Sequence, residues 1–376
     1  TFHDAIPLIH REIYLAPNPA YESYYLAQAR QLQHADLILA VSASARDEAI
    51  KYMEVPAGRA VNISSAVDDA FRPMLYTEQQ TNGLKKRLGI QKPFVMYSGA
   101  TDERKNHRGL IEAFSLLPIQ VRNQYQLVLA GGLPDEHRKQ LQNHALSHLL
   151  ELDDVVITGR ITDEDLIQLY NQCALYVFPS WHEGFGLPAL EAMACGAATI
   201  GANTTSVPEV IGWERALFDP HQASSIAQKM AEVLTDPTFH SELKTHATMQ
   251  AARFSWDASA RRALQALEEL SASSRASLDA PEVLTQIAAI AVSDSTVDLL
   301  ALSQALARNQ TAAKPQLLVD ISELVQRDAR TGIQRVVRSI LGEWLSHPPE
   351  QYDVQPVYST ATAPGYCYAN FYKKAT

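Results

Sequence analysis

Residues 178–196 read FPSWHEGFGLPALEAMACG, and the rest of the chain is interpreted outward from this stretch. An apolar run ends at Phe178, a glycine-containing loop follows at Glu183-Gly184-Phe185-Gly186, and Pro188 stands where the first turn of a helix is expected. A strand passing through such a loop into a helix points free N–H groups and the positive end of the helix dipole at a bound anion. The glycines let the backbone approach a ligand closely, and a diphosphate fits that description. Glu183 lies in the loop and Glu191 eight residues later, about one turn into the helix. Carboxylates repel phosphate, so this pair is better suited to accepting hydrogen bonds from hydroxyl groups on either side of a diphosphate.

From residue 91 to about 254, short apolar runs alternate with amphipathic segments. Strands are expected at 94–98, 126–130, 155–158, 175–178 and 198–201, with helices near 107–116, 134–148, 163–172, 188–195 and 206–211. That alternation means an α/β protein with a doubly wound parallel sheet, whose ligands bind beyond the carboxyl ends of the strands. The charge-rich segment YSGATDERKNHR, residues 97–108, ends the first of these strands. A solvated face is the ordinary reading of such a run. Its place across from a diphosphate loop instead favours Lys105, and after it Arg104, as cations that neutralise a leaving diphosphate. LAGG at 129–132 and TGRITDEDL at 158–166 end the next strands, where Gly131 and Arg160 either line the pocket or serve a turn and the surface. In Thr204-Thr205-Ser206-Val207-Pro208-Glu209 the serine and proline suggest helix capping, and His182 reads as a loop residue.

Upstream, residues 20–33 have helical period, 35–42 (ADLILAVS) suit a buried strand, and Ser44 is placed to cap a helix running through Tyr52. A second strand is expected at 60–63. His3 sits at the end of what looks like a cut strand, and with Thr1 in place of an initiator Met the chain reads as an internal piece of something longer. Residues 271–314 are Ala/Ser-rich and suggest a linker, with a helix start at 279–281. A strand at QLLVDIS, a charged loop QRDARTG, a helix from about 332 to 345 and a strand near 353–358 then open another nucleotide-type fold.

The composition agrees with this organisation. The chain has 376 residues, 46% of them hydrophobic and 20% charged, which suits two or three globular domains. A net charge of −10 leaves no global basic footprint for nucleic acid or an anionic membrane. Cys173, Cys195 and Cys367 share no metal-like or redox-like spacing, and such a sparse set suits the cytoplasm. No apolar run approaches the roughly 18–20 residues that span a bilayer.

The run EGFGLPALEAMACG resembles, nearly residue for residue, the Glu-x(7)-Glu signature of the retaining GT-B glycosyltransferases called group 1. The resemblance implies a GT-B fold, two Rossmann-like domains facing a cleft. Residues 1–75 would be the remainder of the acceptor-side domain, 76–270 the nucleotide-sugar domain with a helix crossing back, 271–314 a linker and 315–376 the start of a second module. It also implies roles. Glu183 would face the donor sugar, Glu191 would hold the ribose, and Lys105 with Arg104 would meet the diphosphate. His3 would reach the sugar from across the cleft. Gly184, Phe185, Gly186, Leu187, Gly99, Gly131 and Arg160 would complete the donor site, and Gly332 would open the matching helix of the second module. In the crossing helix, Ala258, Arg262, Leu264 and Leu267 share helical spacing. Where some relatives carry an Arg after the first glycine, this chain has Ala100.

Among such enzymes the chain is similar to the tandem mannosyltransferases that build bacterial O-antigen polymannose. The expected activity is transfer of a hexose, foremost mannose from GDP-mannose, to a polysaccharide or lipid-linked acceptor, with no metal or other cofactor and no nucleic acid. The expected place is the cytoplasm, with peripheral attachment at the inner face of the inner membrane through a membrane-associated partner. A sugar-nucleotide epimerase or hydrolase on the same fold, and a non-catalytic scaffold, are the alternatives.

Overall fold

The computed structural model describes residues 1–273, 285, 314–327, 332–360 and 363–371, which form two compact units, Thr1–Ala266 and Leu267–Thr376. In the first unit, α1 (Pro19–Leu32) precedes strand β1 (Ile38–Ala40), helix α2 (Ala43–Tyr52) and strand β2 (Ala60–Asn62). β1 and β2 pair in parallel, and Phe2 forms an isolated parallel bridge to Ala40. Ser42 caps α2, its Oγ accepting from the Ala45 N–H at 2.8 Å. The cap expected at Ser44 moves two residues back because the strand ends earlier. The N–H groups of Ala43 and Ser44 are taken instead by the two carboxylate oxygens of Glu209, at 3.1 and 3.3 Å.

Helix α3 (Glu78–Leu88), closed by a Thr77–Gln80 capping box and by Gly89 at φ 77°, leads into the main sheet. There β3 (Phe94–Ser98), α4 (His107–Ser115), β4 (Gln126–Ala130), α5 (Asp135–Ser147), β5 (Val155–Ile157), α6 (Asp163–Gln172), β6 (Leu175–Phe178), α7 (Leu187–Ala194), β7 (Thr199–Ala202), α8 (Val207–Ile211) and β8 (Leu217–Phe218) follow in turn. The six strands run parallel in the order β5-β4-β3-β6-β7-β8. The switch in direction at β3 and β6 places the loops after those two strands side by side, where α/β sheets bind ligands. Every residue of β3, β4, β6 and β7 is buried, as a sheet covered on both faces requires.

α9 (Ala223–Thr235), α10 (Pro237–Ala251) and α11 (Trp256–Ser273) complete the unit. The face of α11 that packs closely is made of small residues, Ser259, Ala263 and Ala266, while Ala258, Leu264 and Leu267 are only partly buried and Arg262 is exposed. Arg262 still ties the helix back to the first segment, donating to the Ile63 carbonyl at 3.4 Å. Residues 1–75 keep a sheet of their own, yet one continuous cluster of buried side chains runs from Phe2 to Ala251.

The second unit has β9 (Gln316–Asp320), a short helix α12 (Ser322–Gln326), α13 (Gly332–Ser346), β10 (Asp353–Thr360) and β11 (Ala363–Tyr368). β10 pairs in parallel with β9, as the strand–helix–strand reading requires, and Gly332 opens the helix between them. Two elements were not foreseen: α12, and β11, which returns antiparallel along β10. A small cluster of Ile321, Leu324, Leu341 and Ala369 forms its core. The expected helix start at 279–281 lies outside the described residues.

Ala263 is 1% exposed, so a larger side chain there has no room. Ala263→Leu is expected to cost about 1–3 kcal/mol of stability, read by urea unfolding.

Candidate active site

The loops after β3 and β6 meet at Glu183. This carboxylate is 7% exposed, and its two oxygens are held by separate cations: Lys105 Nζ at 2.6 Å from Oε1 and Arg104 Nη1 at 3.0 Å from Oε2. Lys105 and Arg104 come from a single turn of 3₁₀ helix started by Asp102, whose side chain accepts from the Arg104 N–H at 3.1 Å. Asn106 ends that turn at φ 57°, in the left-handed region that asparagine tolerates. Its amide bonds the carbonyls of Pro179 and Pro220 at 3.2 and 2.8 Å. The Trp181 N–H donates to the Arg104 carbonyl at 3.0 Å, so the two loops are laced by backbone as well as by charge.

The backbone of Glu183 is fixed by the segment read earlier as helix capping. Thr205 Oγ1 accepts from the Glu183 N–H at 3.1 Å, and Ser206 Oγ donates to the Glu183 carbonyl at 2.9 Å. Ser206 therefore makes no side-chain cap on α8. Gly184 is required by the protein's own backbone: a Cβ there would lie 2.3 Å from the His3 carbonyl oxygen. That contact brings the His3 backbone to the loop. Burial pushes the His3 ring pKa down to about 4, so it is neutral near pH 7. Gly186 opens α7 at φ 104° with no side-chain cap; Pro188 carries no N–H, and the Ala189 and Leu190 N–H groups donate to the Gly186 carbonyl at 3.0 and 3.3 Å. The Phe185 ring is buried edge-on against Phe254, 5.7 Å away.

Glu191 belongs to a second group. Its Oε2 accepts from the Tyr170 hydroxyl at 3.0 Å, which reaches Ser98 Oγ at 2.7 Å at the end of β3. Next to Ser98, Gly99 packs backbone to backbone with Gly131. A Cβ on Gly131, whose φ is 148°, would lie 2.3 Å from the Gly99 carbonyl oxygen. Gly131 also bridges to Gly159, and the neighbouring Arg160 is exposed. Gly99, Gly131 and Glu191 thus gather at neighbouring strand ends, while Arg160 stands at the rim.

Several charged partners were not anticipated. Arg104 is paired with Asp102 as well as Glu183, and Asp4, itself beside Glu48, lies within electrostatic reach of it. Burial raises the Asp4 carboxyl pKa; the Ile6 N–H and Arg104 oppose the rise, and Glu48 and Glu183 add to it. Tyr14 donates to Asp102 Oδ1 at 2.5 Å. His182, read as a loop residue, is 7% exposed and bonded on both ring nitrogens, to Glu48 and to His10. The partners lie 134 and 172 residues away along the chain, a distance no local spacing signals. A cavity of about 580 Å³ lined by Asp102, His107, Arg108, His137 and Trp181 adjoins the Arg104 turn. A larger one, about 790 Å³ at Trp213, Glu242 and His246, shares no residue with the motif.

A six-stranded parallel sheet and a small parallel pair, with a glycine loop opening a helix beside a paired carboxylate, give a fold and site of the GT-B type. Residues 80–253 match the family described as glycosyl transferases group 1, and the chain belongs to that family. It is 43% identical, over 97% of its length, to the serotype-specific mannosyltransferase WbdA of Escherichia coli, of which it spans 44%. It is 34% identical over 259 residues to the O-antigen chain mannosyltransferase B of Escherichia coli, covering 68% of this chain and 66% of that protein. Among solved structures, HepE of Anabaena in complex with UDP-glucose aligns with a TM-score of 0.58 at 20% identity, over 72% of this chain and 71% of that one. A sucrose-phosphate synthase of Thermosynechococcus elongatus aligns with a TM-score of 0.56 at 27% identity, over 67% and 63%.

Burial pushes the Glu183 carboxyl pKa up, but Lys105 and Arg104 outweigh it and hold the group below the ordinary glutamate value of 4.5. Between the folded and unfolded values the unfolded chain binds more protons. This contribution is therefore complete above about 4.5 and is lost as pH falls through the folded value. Glu183→Gln is expected to cost about 3 kcal/mol at pH 7, because it strands buried charge. In urea unfolding that deficit should narrow as the solution is acidified below the glutamate range.

Proposed function

We propose that this chain supplies the donor site of a retaining mannosyltransferase that moves mannose from GDP-mannose onto a growing bacterial O-antigen polysaccharide. The observation that carries the reading is the Lys105–Glu183–Arg104 cluster at the mouth of α7, with Glu191 one turn into the same helix. The names of the two Escherichia coli relatives support mannose and O-antigen. No helix among the described residues is long and apolar enough to cross a membrane. The reading places the enzyme in the cytoplasm, held at the inner membrane by a partner protein.

In the reaction, the bond between the anomeric carbon and the diphosphate oxygen breaks as the acceptor hydroxyl forms its new bond from the same face. The hydroxyl proton passes to the departing phosphate oxygen. Lys105, Arg104 and the positive end of the α7 dipole stabilise the leaving diphosphate, a task that requires no metal. A diphosphate on these cations shares them with Glu183 and loosens their hold on its carboxylate. The carboxylate is then free to meet positive charge growing on the sugar. Glu191 takes the ribose hydroxyls and His3 the sugar from the opposite side.

Two measurements on the full-length polypeptide test this. GDP at a hundredfold excess over its Kd should stabilise the protein by about 2.7 kcal/mol, with Glu191→Ala abolishing the effect. Stabilisation by UDP or ADP in place of GDP would keep the transferase and discard GDP-mannose. In the assay of nucleotide release, Lys105→Ala should lower turnover about 100- to 1,000-fold. Release that is equally fast without acceptor would make the protein a hydrolase instead.

A further inference from the structure

Glu48, His182 and His10 form a hydrogen-bonded chain beside the motif. Glu48, 6% exposed on α2, accepts from the Ala5 N–H with Oε2 at 2.8 Å and meets His182 Nε2 with Oε1 at 2.8 Å. His182 Nδ1 lies 2.9 Å from His10 Nε2. An ionised carboxylate only accepts, so His182 donates from Nε2, and in the neutral ring its Nδ1 accepts from His10. The outer ring, His10, stands edge-on to Trp181 with centroids 5.0 Å apart. The groups facing His10 are His182 and Glu48, and Asp102 and Arg104 from the loop after β3.

The main chain of His182 is part of the active site. Its carbonyl accepts from Arg104 Nη1 at 2.8 Å, and that same nitrogen holds Glu183 Oε2. Whatever fixes the His182 ring therefore fixes the carbonyl that aims Arg104. Both ends of the chain, Glu48 and His10, lie in residues 1–75.

We propose that Glu48, His182 and His10 are positioning residues, a hydrogen-bonded lock through which residues 1–75 hold the Glu183 loop and Arg104 in register for sugar transfer. The inference rests on the transferase reading for its effect on turnover, but the lock itself can be read without activity. Two substitutions of the half-buried outer ring separate hydrogen bonding from packing. His10→Gln keeps an amide N–H near the position of Nε2, whereas His10→Phe keeps a ring against Trp181 and loses the donor.

In the full-length protein, His10→Phe should speed hydrogen exchange of the amides of 181–184 roughly tenfold and lower kcat by a similar factor, with little change in donor KM. His10→Gln should stay within about threefold of the parent on both readouts. Thermal unfolding of the two variants verifies that each is folded. Unchanged exchange in His10→Phe would overturn the lock, as would equal losses in both variants or a greater loss in His10→Gln. If the parent exchanges as expected but transfers no sugar, the functional reading fails and the lock survives. If the parent is active and His10→Phe keeps its full kcat, the positioning role fails and the transferase survives.

Discussion

A buried glutamate gripped by two cations is the constraint around which this site is organised. A carboxylate as enclosed as Glu183 is costly unless its charge is matched and its oxygens are bonded. The matching charges come from a neighbouring strand end, the loop after β3. That requirement explains the 3₁₀ turn that aims Arg104 and Lys105 together, the left-handed Asn106 that ends it, and the backbone bond from Trp181 to Arg104. Thr205 and Ser206 serve the same end from the other side by fixing the glutamate's own peptide groups.

The wider charge balance is less comfortable. Asp4 and Asp102 add two carboxylates beside Arg104, with Glu48 next to Asp4, and burial first, then these carboxylate neighbours, raise the Asp4 pKa. An excess of negative charge beside a diphosphate site would weaken donor binding if all of it faced the phosphates. The structure disposes of most of it elsewhere. Glu48 is spent on Ala5 and His182, and Asp102 on Tyr14 and the Arg104 turn. Glu183 is left as the carboxylate on Lys105, and Glu191 stands apart with Tyr170.

How much of this could be read from sequence depends on how local the cause is. The glycine loop, the strand–helix alternation, and the pairing of a Glu183 loop with an Arg104-Lys105 turn were legible because each is a short run next to a strand end. The packing of Phe185 was not legible because a loop aromatic carries no sign of which way it turns, and here its ring lies against Phe254. Ser44 was preferred to Ser42 as a cap because the strand was drawn two residues too long. His182 and Glu48 were missed for a deeper reason: each gains its meaning from a partner more than a hundred residues away, which only the folded chain supplies.

The seam between residues 1–75 and the motif is polar, and this bears on how such a site could admit a donor. Near Glu183 the two sides are joined by Ser42 to the Gly184 carbonyl, Glu48 to His182, His10 to His182 and Tyr14 to Asp102. Each such bond is worth about 1 kcal/mol net when water can replace it, far less than the same area of packed side chains. The apolar contacts that hold these residues together lie deeper, in the cluster that includes Phe2, Ala5 and Ala40. A fold assembled this way can part its polar seam and re-form it without disturbing its core. Its polar contacts then favour the joined geometry in which Arg104 and Glu183 are correctly aimed.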